Sequence, residues 1–254
     1  MSRFTTFGLT ILFAFAPAAL AVDGTVLINQ STITNGLTGC PTGGHFPIII
    51  CQSGSYRLSG NLTVPDANTD AIHITADNVT IDLNGFAILG PGAKGSGTAI
   101  VGSNTSVSNG TIRGMGSQGI FVTGHSRVYK ILVIGNGGDG IVSSGLGLVS
   151  ECISSENGGV GINVGAGIVM NNVVSENAGD GISGTAVITG NAVFSNANGI
   201  NVGNSIISGN LVQQNTLFGV KAVCPSLLMG NQVSFNTFGD ALNGSLCLEV
   251  NDVP

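Results

Sequence analysis

From about residue 100 onward, apolar runs of three to five residues, rich in Val and Ile, alternate with Gly, Asn and Ser. Runs of that length and type read as strands, and the residues between them as turns. No segment carries a 3.6-residue apolar period long enough for a helix. The runs also keep a register. Gly-Ile pairs begin at Gly119, Gly140, Gly161, Gly181 and Gly199, and Gly219-Val220 continues them, so the steps are 21, 21, 20, 18 and 20 residues. One asparagine series accompanies the glycines: Asn136, Asn157, Asn177, Asn196, Asn215 and Asn236. A second runs Asn172, Asn191, Asn210 and Asn231. A period near 20 residues with three short strands per repeat predicts an all-β parallel β-helix with coils about 4.8 Å apart.

Stacking assigns the inside and the outside. An inward Asn donates its amide to the Asn carbonyl of the next coil, so both series are expected to be buried ladders. The second series continues upstream as Cys152 and Ile131, which are apolar types, and makes Cys152 a buried small hydrophobe. Two adjacent columns run along the third strand: Leu132, Ile153, Val173, Ala192, Leu211, and Val133, Ser154, Val174, Val193, Val212. Neighbours on a strand face opposite ways. The valine column is two residues from the inward Asn and is predicted to fill the core. Leu132, Ile153, Val173, Ala192 and Leu211 then form an external apolar stripe, a candidate interface for self-association or a protein partner.

Composition narrows the class. The chain has 254 residues, 43% apolar and 8% charged, with 41 glycines in no collagen-like period. Its net charge of -6 excludes a nucleic-acid partner, which needs a basic surface. Arg3, the apolar "FGLTILFAFA" and the small residues Ala19–Ala21 read as an export signal over residues 1–21, with no membrane span left after cleavage. Residues 22–53 are expected to cap the N-terminal end of a solenoid running 54–254. Five cysteines suit an oxidising, secreted or periplasmic location. Cys40 and Cys51 close a short loop, and Cys224 and Cys247 lie about one coil apart, within disulfide reach.

The repeats "GINVGAGIVMNNVVSENAGD" and "GINVGNSIISGNLVQQNT" resemble those of the right-handed parallel β-helix proteins of the pectate-lyase-like superfamily. The segment "GSYRLSGNLTVPDANTDAIHITADNVTIDLNGFAILG", Gly54 to Gly90, is similar to the first coils of secreted bacterial members. The resemblance covers most of residues 54–250 and implies a right-handed solenoid. The superfamily holds lyases, hydrolases and epimerases of acidic polysaccharides, and also non-catalytic adhesins, so fold alone leaves activity open.

Individual enzyme motifs fit poorly. "NTD" at Asn68 to Asp70 resembles the polygalacturonase signature, but the chain has no Asp-Asp pair, and "GHS" at Gly124 to Ser126 lacks the second glycine. Asp70 therefore reads as a turn residue. A pectate lyase would need a carboxylate cluster for calcium and a base, so calcium enters only with that reading. Arg113, His125, Arg127 and Lys130 are the candidates for holding a sugar carboxylate or for catalysis. Glu156 and Glu176 fall at matching places on adjacent coils, about 5 Å apart, a glycosidase-like spacing that any outward stacked pair would share. The three histidines and five cysteines show no metal-ligand spacing. "GNGGDG" falls on the 20-residue register and carries neither a dinucleotide site nor a nine-residue calcium repeat. The residues favour a secreted scaffold binding carbohydrate or surface partners without catalysis. The alternative is a lyase or hydrolase of an acidic polysaccharide.

Overall fold

The computed structural model describes residues 24–41, 44–92, 94–243 and 248–250. Its strands stack coil upon coil in parallel register, and each full coil contributes to three sheets. Sheet 1 runs from Ile48–Ile50 through Ile200–Gly203 to Gly239–Asn243. Its inward column is Ile48, Ile72, Ile100, Ile120, Ile141, Ile162, Ile182 and Ile200, then Val220. Ile120, Ile141, Ile162, Ile182 and Ile200 are the isoleucines of the Gly-Ile repeat, and the whole column is buried. Sheet 2 turns Val107, Val128, Val149, Val169, Ile188, Ile207 and Leu228 inward. Sheet 3 buries Val133, Ser154, Val174, Val193, Val212 and Val233, the column expected to face the core.

The repeated glycine has a packing cause. A Cβ added at Gly119, Gly161, Gly181, Gly199 or Gly219 would collide with the inward valine of sheet 3 and with a ladder asparagine amide. At Gly140 the obstacle is the Ser154 hydroxyl, which occupies the valine position. Sheets 1 and 3 thus meet at a corner too close for any side chain. Ser154 itself is fully buried but satisfied, since its Oγ donates to the Gly161 carbonyl at 2.7 Å.

Left-handed residues bend the coil. Lys130, Glu151 and Asn171 stand between sheets 2 and 3, and Glu156, Glu176, Ser195, Gln214 and Phe235 follow sheet 3, with φ between 55° and 59°. Each precedes an inward residue, an Asn in most coils, that satisfies the turn.

The boundary expected at Gly54 moves. Val26–Ile28 pairs with Tyr56–Leu58, and Ile48–Ile50 pairs with Ile72–Ile74, so the segment 22–53 already contributes strands to the stack. A one-turn helix, Thr32–Asn35, and the buried Leu37 and Phe46 cover that end of the core. This segment therefore both begins the ladder and closes it. The expected export signal lies outside the described residues. Among the described residues no helix is long and apolar enough to cross a membrane.

Candidate functional site

Both asparagine ladders form as expected. Asn136 Nδ2 donates to Asn157 Oδ1 at 2.9 Å, Asn157 to Asn177 at 2.9 Å and Asn177 to Asn196 at 2.9 Å. The series continues through Asn215 to Asn236, whose amide donates to Asp240. Asn172, Asn191, Asn210 and Asn231 repeat the pattern at the other corner. Each Oδ1 also accepts the backbone N–H of the preceding rung, as in Asn157 N–H to Asn177 at 3.0 Å. Cys152 stands at the foot of the second ladder, and its N–H donates to Asn172. Burial pushes its thiol up to about 11, overriding backbone hydrogen bonds at Ile131, Lys130 and Ser150 that lower it. Cys40 and Cys51 are joined, with Cα atoms 5.5 Å apart, and Cys152 is free. Cys224 is disulfide-bonded; Cys247, its expected partner, lies outside the described residues.

The basic candidates do not converge on one point. His125 lies at the corner before sheet 2, its backbone N–H held by Asn104 Oδ1. Arg127 opens the sheet 2 strand above Ser106, and Lys130 is the corner residue after it, 3.8 Å from the Glu151 carboxylate. Arg113 pairs in register with Ile134, seven residues further along the coil than Arg127. Glu156 and Glu176 are exposed corner residues in a column that also holds Gly135, Ser195, Gln214 and Phe235. Asp70 accepts the Thr98 N–H of the next coil at 2.7 Å and faces His73.

A different strip emerges on the outside of sheet 1. Its outward column reads His73, Val101, Phe121, Val142, Asn163, Ser183, Asn201 and Lys221. Beside it two aspartates hold amides in place. Asp139 accepts from Val160 N–H at 2.8 Å and Asn163 Nδ2 at 3.1 Å. Asp180 accepts from Asn198 Nδ2 and Asn201 Nδ2, both at 2.7 Å. The strip passes from an apolar half containing the Phe121 ring to a polar half of fixed amides ending at Lys221. The sequence reading missed it. The signal was present as the residue following the last three Gly-Ile pairs: Asn163, Ser183 and Asn201. Among the described residues no group of three or more His, Cys, Asp or Glu could hold a metal ion.

The opposite side is apolar. Ile153, Val173 and Leu211 project from sheet 3 and are exposed, flanked in the same column by half-buried Leu132 and Ala192. Sheet 2 carries a second outward column that sequence reading did not single out: Leu148, Ile168, Val187, Ile206 and Leu227. Ile168 and Ile206 are 41% and 42% exposed, close to Ile153 at 44%.

No family model and no curated protein sequence matches the chain. Solved structures do. A substituted form of the periplasmic alginate epimerase AlgG matches with a TM-score of 0.51 and 15% identity over 82% of this chain and 76% of that one. A doubly substituted form gives 0.52 and 18%, over 81% and 70%. The Dettilon tailspike protein gives 0.52 and 15%, over 82% of this chain and 59% of its own. At this identity the likeness is one of fold: the chain is a parallel β-solenoid.

Proposed function

We propose that the protein is a secreted or periplasmic scaffold that binds polysaccharide along the outer face of sheet 1 without chemically altering it. The observation that carries this reading is the amide strip held by Asp139 and Asp180. A sugar ring presents an apolar C–H face and a hydroxyl edge. Phe121 and Val101, both half-buried, offer the first a surface, and Asn163, Ser183, Asn201 and Lys221 offer the second donors and acceptors. Amides already fixed by carboxylates lose little freedom on binding. The same bonds argue against proton transfer by these aspartates, because each is an acceptor engaged with neutral amides. Lys221 favours an acidic polymer over a neutral one. An export-signal-like leader, a disulfide and two periplasmic epimerase structures of the same fold support a location outside the cytoplasm.

Affinity electrophoresis through gels containing alginate, pectate or a neutral glucan tests the binding, with a parallel assay for new reducing ends, unsaturated products and epimerised residues, with and without calcium. Retardation by an acidic polymer, lost in Asn163→Ala/Asn201→Ala and without product, is expected. Turnover at enzymatic rates would replace the scaffold reading by the lyase, hydrolase or epimerase one. Absence of retardation on every polymer would remove the binding reading.

A further inference from the structure

We propose that the outer faces of sheets 2 and 3 form a self-association surface, and that its occupant is a second copy of this chain. Two five-residue apolar columns lie on these adjoining faces: Leu148 to Leu227 on sheet 2, and Leu132 to Leu211 on sheet 3. Met170 and Met229 on sheet 2, and Ile134 and Phe194 on sheet 3, add further apolar side chains. Arg113 and Arg127 lie at one end and Glu156 and Glu176 along the far corner of sheet 3, while Lys130 and Glu151 stand at the corner between the two faces, 3.8 Å apart and opposite in charge. Each apolar column is thus bordered by charge, as the core of an interface is by its rim.

Two features select the occupant. The first is pitch. Each apolar column is a row of knobs repeating at about 4.8 Å, the spacing of stacked strands. A helix, with a rise of about 5.4 Å per turn, falls out of step with such a row within a few coils. Another parallel solenoid has the same repeat and keeps side chains interdigitated along the whole row, and a second copy supplies that repeat in either direction. The second feature is size. From the coil of Arg127 to that of Leu227 there are five steps, so the surface is about 24 Å long at about 4.8 Å each. Unrolled across the seven residues from the first outward position of sheet 2 to the last of sheet 3, it is about 23 Å wide at about 3.3 Å per residue. The product, about 550 Å² per partner or about 1,100 Å² in total, is the size of a weak, concentration-dependent interface. Each face alone supplies about half, so charge placed on either face should suffice to disrupt the contact.

The test is the mass of the chain lacking residues 1–21, measured by light scattering from low to high micromolar concentration. The wild type is expected to exceed monomer mass with a concentration dependence. Ile153→Lys/Val173→Lys on sheet 3 and Ile168→Lys/Ile206→Lys on sheet 2 are each expected to return it to monomer. Circular dichroism and thermal melting confirm that the stack is intact. Ile153→Ser/Val173→Ser serves as a milder pair should the lysine variants unfold. A monomeric wild type throughout the range overturns the proposal, as does an oligomer whose mass none of the folded variants changes. Because sheet 1 lies elsewhere on the coil, retardation by polysaccharide should survive in the monomeric variants, keeping this inference separable from the binding reading.

Discussion

Replacing Asn177 with Ala removes one rung from the middle of the longer ladder. The Asn177 side chain is 3% exposed and joins four hydrogen bonds. Its Oδ1 accepts from the backbone N–H and the Nδ2 of Asn157, and its Nδ2 donates to Ser154 O and Asn196 Oδ1. Most of the groups abandoned by the substitution keep another partner. Asn157 Nδ2 still reaches Ser154 Oγ at 3.2 Å, and Asn196 Oδ1 still accepts the backbone N–H of residue 177 at 3.1 Å. The Asn157 backbone N–H has no such alternative, and a buried donor left unpaired costs about 1–3 kcal/mol. We expect Asn177→Ala to lose that amount. Asn177→Asp should cost more at neutral pH, because a buried carboxylate would face Ser154 O and Asn196 Oδ1, both acceptors. Its folded-state pKa would rise, so acidification through the carboxylate range should restore part of the loss. Urea unfolding by circular dichroism measures both, provided the slope m is unchanged, since a solenoid can unfold in sections. A loss below about 0.5 kcal/mol for Asn177→Ala would refute the ladder's energetic role.

Gly181→Ala should destabilise by about 1–3 kcal/mol or prevent folding, because the new methyl meets Val193, Asn196 and the Gly199 carbonyl; urea unfolding reads the change. Native protein treated with iodoacetamide at pH 8 should leave Cys152 unlabelled, its thiol being buried and raised to about 11, while denatured protein labels there; native mass mapping decides. Glu176→Gly should stabilise by up to about 1 kcal/mol, since φ is 56° and a glycine adopts that conformation at no steric cost. A thermal melt checks it, and polysaccharide retardation should be unchanged.

The inward half of this molecule was readable because stacking repeats the same demand in every coil. The corner between sheets 1 and 3 excludes a Cβ, so glycine recurs at positions 119, 140, 161, 181, 199 and 219. The turn must satisfy a buried backbone N–H, so asparagine recurs beside it. Alternation then assigned the Val133 column to the core and the Leu132 column to the surface. In the earlier coils those demands are met with different chemistry. The Thr105 N–H donates to Ser126 Oγ, and Met115 stands where later coils place Asn. With no repeated letter there, the strands Val26–Ile28 and Ile48–Ile50 were read as a cap.

Outward positions obey no such rule, and for that reason the site was harder to read. A solenoid sets every pair of equivalent outward atoms about 4.8 Å apart, so the spacing of Glu156 and Glu176 carries no information about chemistry. Information enters only where a side chain is held by something other than the stack. Asp180 is such a case: it binds Asn198 in the next coil's turn and Asn201 on that coil's strand, fixing two amides that alternation alone would leave free to rotate. The basic residues lack that organisation. Lys130 is tied to a neighbouring glutamate, and Arg113 stands seven register positions from Arg127. A functional surface on this fold is therefore recognised by carboxylates that fix outward amides, and sheet 1 carries two of them where the Leu148 and Leu132 columns of sheets 2 and 3 carry hydrocarbon.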